Sequence, residues 1–249
     1  MAAFGRLIRF KDASGSVFYG EVEQSSSLTE QGLTGLTVPI YNGSQPWDDE
    51  FALTGEKKIV ETVLCPLPQT PTFMCVGLNY RQHADEAGAE LCLVIGTDCK
   101  DLKESDDPWQ YILGYMAGND ISSRYWQAAE RSGGQHGSGK WFDKFAPIGP
   151  TLVSSRVISD PHQLLMKSIV NGEERQSTRT DDMIFDIPAI LRHLSRGLTL
   201  RKGTVIMTGT PSGVAAFHKP PKWLQEGDVV EIEIEKIGRM RNVMSFYDV

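Results

Sequence analysis

The chain has 249 residues, 40% hydrophobic and 23% charged, with a formal net charge of −7. That length allows one large domain, or one large and one small, around a substantial core. The acidic balance argues against nucleic acid or an anionic membrane surface as partner, and no apolar run approaches the length of a membrane span.

The opening MAAFGR carries no secretory pattern, so a cytoplasmic protein is expected, with a mitochondrial location left open. Cys65, Cys75, Cys92 and Cys99 fit no zinc spacing. Three of them sit in apolar runs, which predicts buried, reduced thiols. Residues 7–64 read as a small β-rich unit: LIRF and VFYGEV are strand candidates around a KDASG turn. No titratable cluster occurs there, so a structural or dimerisation role is expected. PLPQTP at 66–71 has three prolines in six residues. It favours extended backbone and reads as a linker, which divides the chain into 1–68 and 69–249.

The stretch 73–90, FMCVGLNYRQHADEAGAE, organises the rest. Its apolar start predicts a short buried strand that ends at Gly77 and empties into Asn79, Tyr80, Arg81, Gln82, His83, Asp85 and Glu86. His83 and Glu86 are three apart, so on a helical turn the carboxylate can orient the imidazole. A solvated helix face with a chance histidine explains the pair alone equally well. LCLVIG at 91–96 fits a strand buried on both faces. Glu90 stands at its edge, where an isolated carboxylate is costly without a cation or donors, and this makes it a metal-ligand candidate.

Asp107 and Pro108 start a short helix. The run ILGYMAG at 112–118 reads as a strand, with Asp120 just beyond it. AAERSGGQHGSG at 128–139 predicts a mobile loop. Lys140 follows between that loop and an aromatic pair, where partial desolvation would tune its acidity, although an ordinary surface lysine fits the same pattern. A helix is predicted after Asp186, with Pro188 in its first turn, Ile187, Ile190, Leu191 and Leu194 as its apolar stripe and Gly197 at its end. VIMT at 205–208 is a strand that stops at GTPSG, a turn whose N–H groups and hydroxyl could cradle a carboxylate. Glu231, Glu233 and Glu235 alternate with apolar residues and are expected to face solvent.

VGLNYRQHADE, AELCLVIG, GYMAGNDISSRYWQ, GKWFDKFAPIGP, the VNGE turn, RKG with IMTGTPSGV, and EGD occur in this order over residues 73 to about 243. Together they resemble the fumarylacetoacetate hydrolase family. The resemblance implies an α+β, mostly β fold, with a mixed β-roll or β-sandwich C-terminal domain and a small β-rich N-terminal domain, usually as a homodimer. It implies Mg²⁺ or Mn²⁺ held by acidic side chains and an enzyme acting on a β-diketo or β-keto acid. Acylpyruvate-type C–C hydrolysis, oxaloacetate decarboxylation and tautomerisation share a metal-stabilised enolate and are not separated by these residues. Carried over by position, Glu90 and Asp120 become metal ligands, and His83, Glu86 and Lys140 become catalytic, with His83–Glu86 as general base on a lid. Arg124, Gln127 and Thr210 become substrate-binding. Tyr125 departs from the family's usual aspartate.

The family also has a first metal glutamate two residues before the second, where this chain has Gly88, and several dozen residues between the His–Glu dyad and the paired glutamates, where only Ala87, Gly88 and Ala89 stand. A missing lid segment explains that junction more simply than a deletion that leaves both flanks intact. A first glutamate truly absent from the chain would favour the competing class, a non-catalytic binding protein with an incomplete metal site.

Overall fold

The computed structural model describes residues 2–23, 27–80, 88–212 and 220–246. The hairpin predicted around residues 11–15 forms from β1 (Arg6–Lys11) and β2 (Val17–Glu21), with Leu7 opposite Glu21 and Lys11 opposite Val17. The one-turn helix α1 (Glu30–Leu33) is capped by Thr29, whose hydroxyl accepts from the Gly32 N–H. β3 (Thr37–Tyr41), β4 (Leu53–Ile59), β5 (Thr62–Leu64), β6 (Phe73–Cys75), β7 (Ala89–Ile95) and β8 (Ile112–Asn119) follow. Two short helices, α2 (Arg124–Gln127) and α3 (Ala129–Ser132), precede β9 (Ile148–Ser154). The chain continues through β10 (Leu165–Val170), β11 (Glu173–Arg179), α4 (Ile187–Leu194), β12 (Val205–Met207), β13 (Val229–Ile234) and β14 (Gly238–Val243).

These strands build two sheets. The larger has the order β4-β3-β2-β1-β9-β8-β7-β12-β6, with β5 also on β1, and the smaller has the order β11-β10-β13-β14. β6 runs parallel to β12 among otherwise antiparallel neighbours, so the larger sheet is mixed. The expected α+β, mostly β class is the observed one. β1 pairs with β9 through Arg6↔Val153 and Leu7↔Leu152, so strands before residue 69 extend the sheet that carries β7 and β8.

All seven residues of β7 are buried, as its continuous apolar sequence predicts for a strand covered on both faces. Leu91, Leu93 and Ile95 pack with Tyr115, Met166, Ile232 and Ile234 between the sheets. On the other face Cys92 and Val94 pack with Phe4, Met116, Leu152 and Met207. Burying each such Leu or Ile contributes about 1.5–3 kcal/mol. Strand period two places Glu90 with Cys92 and Val94. The site is thus rooted in a strand buried on both faces.

Several local expectations hold in detail. Asp186 Oδ1 accepts from the Ala189 N–H at 2.8 Å, Pro188 sits in the first turn, and Ile187, Ile190 and Leu191 of α4 are buried. Asp107 caps a single 3₁₀ turn at Pro108–Tyr111. Glu231 and Glu233 face outward and pair with Arg239. Others need correction. β6 is not a buried strand: Phe73 and Cys75 are exposed, because it is the last strand of its sheet and has a neighbour on one side only. Cys92 and Cys99 are buried, but Cys65 and Cys75 are exposed. The stretch 128–139 is no open loop, since it forms α3 and a 3₁₀ turn at His136–Gly139.

Candidate active site

β7 and β8 pair with Ala89 opposite Asn119 and Glu90 opposite Gly118. One step further the Asp120 N–H donates to the Gly88 carbonyl at 3.2 Å. This ladder brings Glu90 and Asp120, separate in sequence, to the same end of two adjacent strands. Both are buried, at 2% and 6% exposure. Glu90 Oε2 accepts from the Gly209 N–H at 2.7 Å. Lys140 Nζ donates to Asp120 Oδ2 and, at 2.7 Å, to Ser122 Oγ. Burial, and then the neighbouring Asp120 carboxylate, push the Glu90 carboxyl well above the usual range, while the Gly209 N–H and the Lys140 charge pull the other way. Two carboxyl groups in contact, one of them anchored by an ammonium, form a unit that can hold a proton and release it.

The turn after β12 therefore cradles a carboxylate, but that of Glu90 in the protein itself. Gly209 has φ 103°, and a Cβ there would stand 2.9 Å from Asn79 Cβ and 3.0 Å from the Val76 carbonyl. Only glycine lets this N–H reach Glu90. Asn79 proves to be a bracket. Its Nδ2 donates to the Phe185 and Thr208 carbonyls at 3.1 and 2.8 Å, and its Oδ1 accepts from the Phe185 N–H at 2.8 Å.

Glu90, Asp120, Ser122, Arg124, Gln127, Lys140 and Thr210 line one cavity of about 1010 Å³, walled further out by Phe73, Trp141, Phe142 and Phe145. That volume is at the top of the range of about 300–1,000 Å³ usual for small-molecule pockets. Every described residue assigned to the site by sequence is thus brought together. His83 and Glu86 lie outside the described residues.

Gln176 was missed by sequence. It lies in β11, EERQSTR, where polar neighbours on both sides hide any burial signal, yet it is only 3% exposed. Its Oε1 accepts from the Ala89 N–H at 3.0 Å, and its Nε2 donates to Thr210 Oγ1 and the Pro211 carbonyl at 3.0 and 2.8 Å. A Cβ at Gly88 would stand 2.2 Å from Gln176 Oε1 and 2.8 Å from Thr210 Oγ1. The joint at Gly88–Ala89 is thus held by Gln176, through the Ala89 N–H, and packed against it and Thr210.

The donor set does not suit the ion that the resemblance implies. Among the described residues, no group of three or more His, Cys, Asp or Glu comes together to hold a metal. Of the two carboxylates present, Asp120 is already ion-paired with Lys140. The position two before Glu90 has no carboxylate and no room for one.

The α+β fold thus places paired carboxyl groups and a lysine at the ends of its central strands, in a cavity of small-molecule size. The family model described as fumarylacetoacetate (FAA) hydrolase C-terminal matches residues 86–245. The "oxaloacetate tautomerase fahd2, mitochondrial" of Xenopus laevis is 35% identical over 217 residues, covering 73% of this chain and 67% of the frog protein. The "fumarylacetoacetate hydrolase domain-containing protein 2" of Pongo abelii is 42% identical over 217 residues, covering 73% and 68%. The crystal structure of 2-hydroxyhepta-2,4-diene-1,7-dioate isomerase from Mycobacterium marinum superposes with a TM-score of 0.79 at 29% identity, covering 97% of this chain and 98% of that one. The chain belongs to the fumarylacetoacetate hydrolase family. The frog match spans 217 positions, whereas 73% of 249 residues is about 182, so about 35 of those positions have no counterpart here.

Proposed function

We propose that the chain is a keto–enol tautomerase of a 2-oxo dicarboxylic acid such as oxaloacetate. The observation that carries this reading is the Glu90–Asp120–Lys140 unit at the inner end of the cavity. Tautomerisation moves one proton between a carbon and the carbonyl oxygen beside it and breaks no carbon–carbon bond. It needs one group to hold the carbon's proton and another to serve the oxygen. In the ketonising direction Lys140, anchored on Asp120 and Ser122, steadies the enolate oxygen as its proton leaves to the Asp120 side. Glu90, whose carboxyl is pushed upward by burial and the Asp120 carboxylate, delivers a proton to the carbon. The proton lost from oxygen equals the one gained at carbon once Glu90 and Asp120 re-equilibrate. Arg124, Gln127 and Thr210 offer positive charge and hydrogen bonds to the substrate's carboxylates. No step is routed through a metal. Relatives named oxaloacetate tautomerase, and a fold neighbour named as an isomerase, support this choice among the family's reactions.

The test is to follow oxaloacetate and an acylpyruvate by NMR with the purified chain. The expected outcome is faster enol–keto interconversion of oxaloacetate without release of CO₂ or cleavage products. Cleavage of the acylpyruvate at a comparable rate would replace this reading with hydrolysis.

Glycine in place of a carboxylate at position 88 favours a second reading, a keto-acid-binding protein without turnover. It predicts saturable oxaloacetate binding by calorimetry with no acceleration of interconversion.

A further inference from the structure

We infer that this centre is built around a resident ammonium in place of a divalent ion. Lys140 supplies the positive charge for the Glu90–Asp120 pair, and Gln176 fills the position from which a third carboxylate would have to come.

Three observations carry the inference. First, Asp120 Oδ2 is bonded to Lys140 Nζ, whose side chain is 25% exposed against 9% for Asp120. A divalent ion on Asp120 would have to displace that ammonium or sit beside it, and like charges a few ångströms apart in a partly dry site repel strongly. Second, Gly88 carries no positive φ, so its backbone would accept a side chain, but a Cβ would meet Gln176 Oε1 at 2.2 Å and Thr210 Oγ1 at 2.8 Å. What excludes a side chain is therefore first Gln176 and then the Thr210 hydroxyl bonded to it, and the Gln176 amide is fixed by hydrogen bonds to the Ala89 N–H, the Thr210 hydroxyl and the Pro211 carbonyl. Third, Glu90 is already served by the Gly209 N–H. A hard cation would have to offset the loss of these contacts with two carboxylates from the described residues, the rest of its shell coming from water or substrate oxygens.

The inference concerns what the site binds and stands apart from which reaction it performs, so it is tested without substrate. The free-Mn²⁺ electron paramagnetic resonance signal is titrated with wild type, Asp120→Asn, Lys140→Met and the double variant Gly88→Glu/Gln176→Ala, each checked for folding by circular dichroism. Wild type is expected to leave the signal unchanged at millimolar Mn²⁺, with the same thermal midpoint in Mn²⁺ as in EDTA. The double variant, which has a third carboxylate, lacks the closest obstacle to it and leaves the Thr210 hydroxyl free to turn away, is expected to bind Mn²⁺ at least about tenfold more tightly than wild type and to show a higher midpoint with the metal. Lys140→Met, which frees Asp120, should also bind more tightly than wild type, and it decides the matter if the double variant does not fold. Micromolar Mn²⁺ binding by wild type that is lost in Asp120→Asn would overturn the inference. So would a folded double variant that binds no better than wild type.

Discussion

The two ends of the cavity are built by different means. The inner end rests on strands: Glu90 in β7, Asp120 just after β8 and Gly209 just after β12, all held by backbone pairing in a core buried on both faces. The outer end rests on short helices and loops: Arg124 and Gln127 in α2, and Trp141 and Phe142 beyond a 3₁₀ turn. Trp141 is 77% exposed, against 2% for Glu90. Rigid strands fix the spacing of acid and base groups, which proton transfer requires. Loops adapt to the part of the substrate that does not react. Chemistry should therefore fail when the inner end is changed and selectivity should shift when the outer end is changed.

The sharpest way to break this contrast is at the inner end. Asp120→Ala removes the anchor of Lys140 and the partner of Glu90, and it should lower kcat for oxaloacetate tautomerisation by about 10²–10⁴-fold, the range for a lost acid–base group. Steady-state rates per folded molecule check this. A milder change tests whether the inner end is fixed from behind. Gln176→Ala leaves the Ala89 N–H and the Pro211 carbonyl without their partner, which costs about 1–3 kcal/mol. For a chain of this size that is a fall in Tm of roughly 2–4 °C per kcal/mol, read by calorimetry. At the outer end, Trp141→Ala should change stability by less than about 0.5 kcal/mol. It should raise KM for a 2-oxo acid with a bulky apolar arm while leaving oxaloacetate almost unaffected. Equal effects on both substrates would dissolve the distinction between the two ends. The smallest effect belongs to the exposed Lys222–Glu173 pair, far from either end in role. Lys222→Ala should cost no more than about 1 kcal/mol, and its turnover should match wild type.

The inner end was also the more legible in sequence. An apolar run buried on both faces and a carboxylate at its edge identify β7 and Glu90 directly, and Asp120 follows from the same pattern in β8. The helix at 187–194 was legible because its cap, first-turn proline and apolar stripe agree. The packing around Gly88 was not. It depends on Gln176, 88 positions away in a strand whose residues are nearly all polar, and no local period marks such a residue as buried. The exposure of β6 was hidden for a related reason: FMC reads as core until the sheet order shows that it is an edge strand. The target of the GTPSG turn was likewise out of reach, because a donor-rich turn looks the same whether it serves a substrate or the protein's own glutamate. Digestion offers a direct check on the joint. The tryptic peptide from Gln82 to Lys100 should show Gly88 bonded to Ala89, and extra residues between them would reopen the inner end.

The central claim is that the lysine-anchored carboxyl pair moves the proton. The most direct measurement is the rate of oxaloacetate enol decay, followed by its ultraviolet absorbance, with wild type and Lys140→Met in the presence of EDTA. The account predicts clear acceleration by wild type over buffer and a loss of about 10²–10⁴-fold in kcat for the variant, with the variant still folded by circular dichroism. A wild-type rate no faster than buffer, or a folded Lys140→Met that matches wild type, would contradict it.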